Sequence, residues 1–330
     1  MNNIPFTALV VRQENENFVR SLETRHLDDL PPGEVLVRVH YSSLNYKDAL
    51  SAIGNRGVTR RYPHTPGIDA AGVVQASEVA HIRAGDQVIV SCYDLGMNTP
   101  GGFADYIRVP AGWVVKKPDG LSLREAMIYG TAGFTAALSV HKLMRQGVRP
   151  ADGPLLVTGA SGGVGSMAVA ILAGEGFHVT AASGKDADAF LTGLGAEKII
   201  DRLQVSGATD KALLRPRWAG IIDTVGGDIL AKGLKSTQTG GVVTTCGNVA
   251  GAELDITVYP FILRGISLLG IDAAECPLAL RQTIWDKLGA EWKLPMLAEL
   301  ATEVSLEQLG DSIDQILQGK IKGRTVVKVA

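Results

Sequence analysis

Residues 155–177 read LLVTGASGGVGSMAVAILAGEGF. Leu155, Leu156, Val157 and Thr158 make a short run of the kind that fills a strand buried on both faces. Glycines follow at once, at Gly159, Gly162, Gly163 and Gly165, and apolar residues then recur at Val164, Met167, Ala168, Ile171 and Leu172 with helical spacing. The pattern predicts strand, glycine turn and helix, and a second apolar strand over 178–182 completes a βαβ unit. The glycine spacing is not a strict G-x-G-x-x-G. Even so, glycines let the backbone turn tightly and approach a pyrophosphate, which the unpaired N–H groups and dipole at the helix start can hold. A tight turn alone also calls for glycine; the second strand at βαβ distance favours the dinucleotide reading. Ser161, Gly162, Gly163, Val164 and Gly165 are the candidate phosphate cradle.

Coenzyme choice is read where that second strand ends, about 20 residues beyond the glycines, where an NAD enzyme usually presents an acidic residue to the ribose. Here the chain reads Ala181-Ala182-Ser183-Gly184-Lys185, with no carboxylate to repel a 2′-phosphate. Ser183, Gly184 and Lys185, with Arg202 after the next strand, are candidate phosphate contacts, and NADPH is the expected cofactor. The plain alternative is a solvated polar loop. Further on, a helix over 186–195, strands over 198–201, 218–225 and 241–246, a helix over 229–236 and a last strand over 266–272 imply a doubly wound parallel sheet.

Upstream, FTALVVRQ, GEVLVRVHYSSLN, AAGVVQAS, GDQVIVSCYDLG and GFADYIRVP predict short strands separated by proline and glycine turns, a twisted β-barrel domain. Between Leu121 and Gly147 the texture turns helical: Ser122 and Glu125 have capping-box spacing, and the run is either one helix or two broken near Gly130 and Gly133. The tail from Thr302 ends in a helix and a strand with no place in the parallel sheet, so that strand is expected to rejoin the first domain. A chain of 330 residues is too long for one ordinary core, so two domains are expected, and with a formal charge of −2 and scattered charges nothing suggests a nucleic-acid partner. Cys92, Cys246 and Cys276 lack metal-ligand spacing, which suits a reducing compartment. No run reaches the ~18 apolar residues of a membrane span, and a soluble cytoplasmic protein without membrane partners is expected.

Together, PGIDAAG at 66–72, GDQV at 85–88, GGFADY at 101–106, GTAGFTA at 130–136 and TGASGGVG at 158–165 resemble the medium-chain dehydrogenase/reductase family over the whole chain. The resemblance implies α/β architecture: a GroES-like catalytic barrel, residues 1–125 and 296–330, with a Rossmann NADP-binding domain, 126–295, inserted. Where zinc-dependent members carry a first-loop cysteine this chain has Asn45, and their His-Glu pair reads Ile68-Asp69, so no metal is expected. With SSLNYKDAL, DTVGG, PFILRG and GRTVVKV, the pattern is most similar to the zinc-free, quinone-oxidoreductase-like branch. That branch implies an NADPH-dependent enzyme reducing the C=C bond of a short enoyl-CoA such as acrylyl-CoA, or alternatively a quinone; a non-enzymatic NADPH-binding protein is a third class. It also implies a homodimer through 266–272, and coenzyme contacts at Tyr46, Thr131, Asn248 and Ile262.

Hydride addition to an α,β-unsaturated thioester leaves an enolate that needs a hydrogen-bond donor and a proton. Tyr46 is the candidate donor, since a phenol with a pKa of about 10 stays protonated at neutral pH; its alternative is a packing tyrosine. Asn45 either fixes substrate geometry or serves as a turn residue. Arg56, Arg60 and Arg61 either meet the phosphates of coenzyme A or form a solvated loop.

Overall fold

The computed structural model describes residues 3–330. The chain opens with strands β1 (Pro5–Glu14), β2 (Asn17–His26) and β3 (Val35–Leu44), helix α1 (Tyr46–Ala52), and strands β4 (Asp69–Ser77), β5 (Gln87–Ser91), β6 (Tyr106–Val109) and β7 (Val114–Lys116). Helix α2 (Leu123–Arg145) is capped as its sequence predicts: Ser122 N–H donates to Glu125 Oε2 at 2.8 Å and Glu125 N–H to Ser122 Oγ at 3.1 Å. It is two helices in one span, broken at Gly130, whose φ of 49° and ψ of −157° lie outside helical space.

The expected βαβ unit follows, as β8 (Leu155–Thr158), α3 (Gly163–Gly174) and β9 (Val179–Ser183). Then come α4 (Asp188–Gly193), β10 (Lys198–Asp201), β11 (Trp218–Asp223), α5 (Gly227–Lys235), β12 (Thr237–Thr245), α6 (Tyr259–Arg264) and β13 (Ser267–Gly270). The chain closes with α7 (Leu278–Gly289), β14 (Ala301–Ser305), α8 (Leu309–Leu317) and β15 (Arg324–Lys328).

These elements form two compact units, 3–131 with 274–330, and 132–273. The second is a six-stranded parallel sheet in the order β10-β9-β8-β11-β12-β13. Its central strands β8 and β11 are buried at every residue, as strands covered by helices on both faces must be. Helices α3 and α5 close the faces, and Leu156, Ile221, Val243, Leu230 and Leu234 share one core.

In the first unit β3 to β7 pair antiparallel, and β15 slots between β3 (antiparallel) and β14 (parallel). The last strand does rejoin the β-rich unit, in register Val326↔Ser43. Helix α8 is held by an i, i+4 stripe: Leu309 and Ile313 pack with Ala49, Phe103 and Val327.

The bounds read from sequence, 126 and 295, differ from this division at both crossings. The larger difference has a clear cause in Arg281 of α7, which is fully buried. Its Nη1 donates to Ser91 O at 2.9 Å, its Nη2 to Ala274 O at 3.1 Å, and its guanidinium lies 4.3 Å from the Tyr93 ring centroid. Tyr129 adds a second tie, its hydroxyl donating to Trp292 O at 3.2 Å and accepting from Leu294 N–H at 2.9 Å. Segment 274–295 therefore packs with the β-rich unit.

Candidate active site

In the β-rich unit the site grows from the junction of β3 and α1. Asn45 stands immediately before the helix, and Asp48, three residues on, reaches back to accept its N–H at 2.8 Å. The other oxygen of Asp48 accepts from Gly67 N–H at 3.0 Å and Ile68 N–H at 2.8 Å. One carboxyl thus ties the start of α1 to the loop entering β4. Asp48 is fully buried, and burial, with Asp69 nearby, pushes its pKa up to about 7 against the pull of those N–H donors.

Asp69, also fully buried, is the hub. It accepts from Ser43 Oγ at 2.6 Å, Asn45 Nδ2 at 2.7 Å, Thr131 N–H at 2.9 Å and Thr131 Oγ1 at 2.7 Å. Because the Thr131 hydroxyl spends its proton on Asp69, the Cys92 thiol, 3.0 Å away, must donate to it. Burial and then Asp69 push that thiol up to about 11, so it stays protonated and is no nucleophile at neutral pH. Cys92 and Tyr93 both hold positive φ, 64° and 50°, a strained pair where β5 leaves the sheet.

Arg324 completes the cluster, donating Nε to Ile128 O at 3.0 Å and Nη1 to Leu44 O at 3.3 Å; its Nη2 has no partner among the described residues. Ser43, Asp69 and Arg324 crowd Gly130, where a Cβ would come within 2.4 Å of Ser43 Oγ and 2.7 Å of Asp69 Oδ2. This explains the break in α2: only glycine permits the carboxylate so close.

Tyr46, the first residue of α1, is 45% exposed, and its hydroxyl makes no hydrogen bond among the described residues. Asn45 and Thr131 meet through Asp69, as no sequence spacing could foretell. Of the three arginines, Arg56 is engaged: it donates to Arg60 O at 2.6 Å and Gln13 Oε1 at 2.5 Å and lies over the Tyr62 and Phe18 rings. Arg60 and Arg61 are exposed without ion pairs among the described residues.

In the parallel-sheet unit the candidates gather at the carboxyl ends of the strands. Gly159 turns at φ 59°, and a Cβ on Gly165 would sit 2.3 Å from Gly159 O, so the helix packs directly on the turn. Ser166 N–H is the first to bond backward, to Gly162 O at 2.9 Å. The N–H groups of Gly163, Val164 and Gly165 have no partner among the described residues. Such a helix start, with glycine at 159, 162 and 163 of the turn, fits a pyrophosphate.

Ser161 and Ser183 are both buried, their hydroxyls 2.9 Å apart, and Ser183 Oγ accepts Lys185 N–H at 3.1 Å. Arg202 lies across Gly184: a Cβ there would meet its Cδ at 2.6 Å. Ser183, Gly184, Lys185 and Arg202 are therefore brought together at the ends of β9 and β10. Asn248 is exposed on the loop after β12, and Ile262 is 66% exposed on α6. Sequence reasoning did not single out Asp223, fully buried, which accepts from Thr158 Oγ1 and Thr245 Oγ1 and knits β8, β11 and β12.

The family model of the alcohol dehydrogenase GroES-like domain matches residues 31–119, and that of the zinc-binding dehydrogenase matches 163–288. The chain is 44% identical to Bacillus subtilis "Putative quinone oxidoreductase YhfP", over 98% of this chain and 99% of that protein. It is 42% identical to acrylyl-CoA reductase AcuI of Ruegeria pomeroyi, over 98% and 99%. The crystal structure of the yhdH oxidoreductase from Salmonella enterica in complex with NADP superposes with a TM-score of 0.96 at 43% identity, covering 98% of this chain and 100% of that one.

Proposed function

The chain belongs to the quinone-oxidoreductase-like branch of the medium-chain dehydrogenase/reductase family, and from that premise we propose that it reduces acrylyl-CoA, a short enoyl-CoA, to propionyl-CoA. The chain is an oxidoreductase and its coenzyme is NADPH, which when bound supplies a hydride. The turn at Gly159 and the free N–H groups of Gly163 to Gly165 hold the pyrophosphate, with Thr131, Asn248 and Ile262 as further contacts. Lys185 and Arg202 take the 2′-phosphate, where a point charge and a guanidinium replace the acid of an NAD site.

The observation that carries the reaction is Tyr46: an exposed phenol with its hydroxyl uncommitted, on a helix start pinned by Asp48. Its O–H donates to the thioester carbonyl oxygen as enolate charge collects there, and Asn45, fixed by Asp69, keeps the loop in place. Asn45 and Ile68 stand where zinc-dependent members place ligands, and Ile68 has no ligating atom, so we assign no metal to the site. Arg60 and Arg61 are the open cations for coenzyme A phosphate. The quinone reading rests on the name of the Bacillus relative and requires neither arginine. Among the described residues no helix is long and apolar enough to cross a membrane; we place the protein in the cytoplasm, as a homodimer through the outer edge of β13.

The test is NADPH oxidation followed with acrylyl-CoA, crotonyl-CoA and a simple quinone side by side. Acrylyl-CoA should give the highest kcat/KM; a quinone reduced far more efficiently would overturn the substrate assignment.

A further inference from the structure

We propose a second anion site on the parallel-sheet unit, at the end of the sheet away from the glycine turn, suited to a small molecule carrying a chain of phosphates. The strand order sets β10, β9, β8 and β11 side by side, so their amino-terminal ends form a row. A groove of about 640 Å³ runs along that row, within the range of small-molecule sites. Neighbouring strands lie about 4.8 Å apart, so from Lys198 at the start of β10 to Trp218 at the start of β11 the row spans about 14 Å.

Cations outnumber acids along this groove, three to one. Lys198 stands at one end and Arg215 and Arg217 at the other, and none forms an ion pair among the described residues. The acid on the wall, Glu197, is already held by His178, Nδ1 to Oε2 at 2.6 Å. Uncompensated cations along a concave wall focus potential into it and raise the local concentration of anions.

The arginine pair is also held in place. Leu214 N–H donates to Lys235 O and Arg217 N–H to Ser236 O, both at 2.8 Å, and Pro216 restricts the backbone between the two arginines. The Arg217 guanidinium lies 4.5 Å from the ring centroid of Trp218, itself only 3% exposed, and Gln238 Nε2 donates to Arg217 O at 3.0 Å. A guanidinium stacked on a fixed indole loses less freedom on binding than a free one. Cations at both ends of a groove about 14 Å long match an extended phosphate chain better than a single small anion. Along β9 the groove reaches Thr180, three residues before Ser183 and about 10 Å from it at strand rise, so the site is distinct from the coenzyme contacts and independent of the proposed reaction.

The test uses protein saturated with NADP, so that the coenzyme site is filled, titrated calorimetrically with inorganic tripolyphosphate and separately with ATP. Saturable binding is expected, weakened by about tenfold or more in Arg215→Ser/Arg217→Ser. The second variant, Lys198→Ser/Arg215→Ser, leaves the Trp218 stack intact and should weaken binding comparably, with reductase activity unchanged as the control for folding. Equal affinities would identify a bare phosphate chain as sufficient, and tighter ATP binding a nucleotide; both support the site. No saturable binding with NADP present, or binding undiminished in both variants, would overturn it.

Discussion

Asn45 is held through backbone and side chain at once: its N–H goes to Asp48 and its amide to Asp69. Tyr46, next along, therefore presents its ring from a fixed point. Tyr46→Phe keeps the ring and removes the donor, so kcat should fall by about 10²-fold while NADPH affinity barely changes; stopped-flow hydride transfer separates this from slow product release, and an unchanged rate would reduce Tyr46 to packing. Lys185→Ala should weaken NADPH binding by about tenfold to a hundredfold, the loss of one charge-assisted contact, and leave NADH binding nearly unaltered; equal effects on both would remove Lys185 from the phosphate. Asp48 makes a pH prediction. Its carboxyl is raised from 3.8 to about 7 in the folded protein, so the folded state binds the extra proton between those values. Its contribution to stability is full below the lower value and lost as pH rises through the upper one. Denaturant unfolding of wild type and Asp48→Asn should show the wild type losing ground to the variant from pH 4 to pH 7; a constant gap would contradict the assignment. Of this cluster the sequence displayed Asn45 and Tyr46, because they sit in one motif. Asp69 accepts from Asn45 across 24 positions and from Thr131 across 62, and Arg324 reaches Leu44 across 280; partners that distant leave no local pattern.

At the scale of elements, β8, α3 and β9 fell within a residue or so of their expected bounds, since a buried run, a glycine turn and a helical period are each local signals. Strands β2, β7 and β14 were not legible. β2 reads NFVRSLETRH with none of its ten residues buried, so there is no period to see; it is a strand because β1 pairs with it in full register. The chain reverses there at Asn15, in the left-handed region at φ 58°. β7 is three residues long and β14 exposed or half-buried throughout. The tightest element contact makes its own prediction. Gly165→Ala would place a Cβ 2.3 Å from Gly159 O and 2.7 Å from Ala160 Cα, both backbone atoms that cannot swing aside. The variant should lose about 1 to 3 kcal/mol of stability by overpacking and bind NADPH more weakly, as thermal unfolding and a fluorescence titration would show; a variant matching wild type in both would mean that α3 does not rest on the turn.

At the scale of the molecule, sequence patterning indicated a β-rich unit interrupted by a parallel-sheet unit, because strand texture changes to alternating strand and helix near Leu121 and a lone terminal strand is left over. The return point was less visible, since 274–295 looks like one more helix of the α/β run, and it is the burial of Arg281 against Ser91 and Tyr93 and the Tyr129 bonds to Trp292 and Leu294 that assign it to the other unit. The proposed reaction is hydride delivery from NADPH to the β-carbon of an enoyl thioester. The most direct measurement is mass spectrometry of the CoA product formed from acrylyl-CoA and NADPH deuterated at C4 in the transferred position. Propionyl-CoA with a single deuterium at its β-carbon is expected; deuterium at the α-carbon, or acrylyl-CoA left unreduced while a quinone consumes the NADPH, would rule this reaction out.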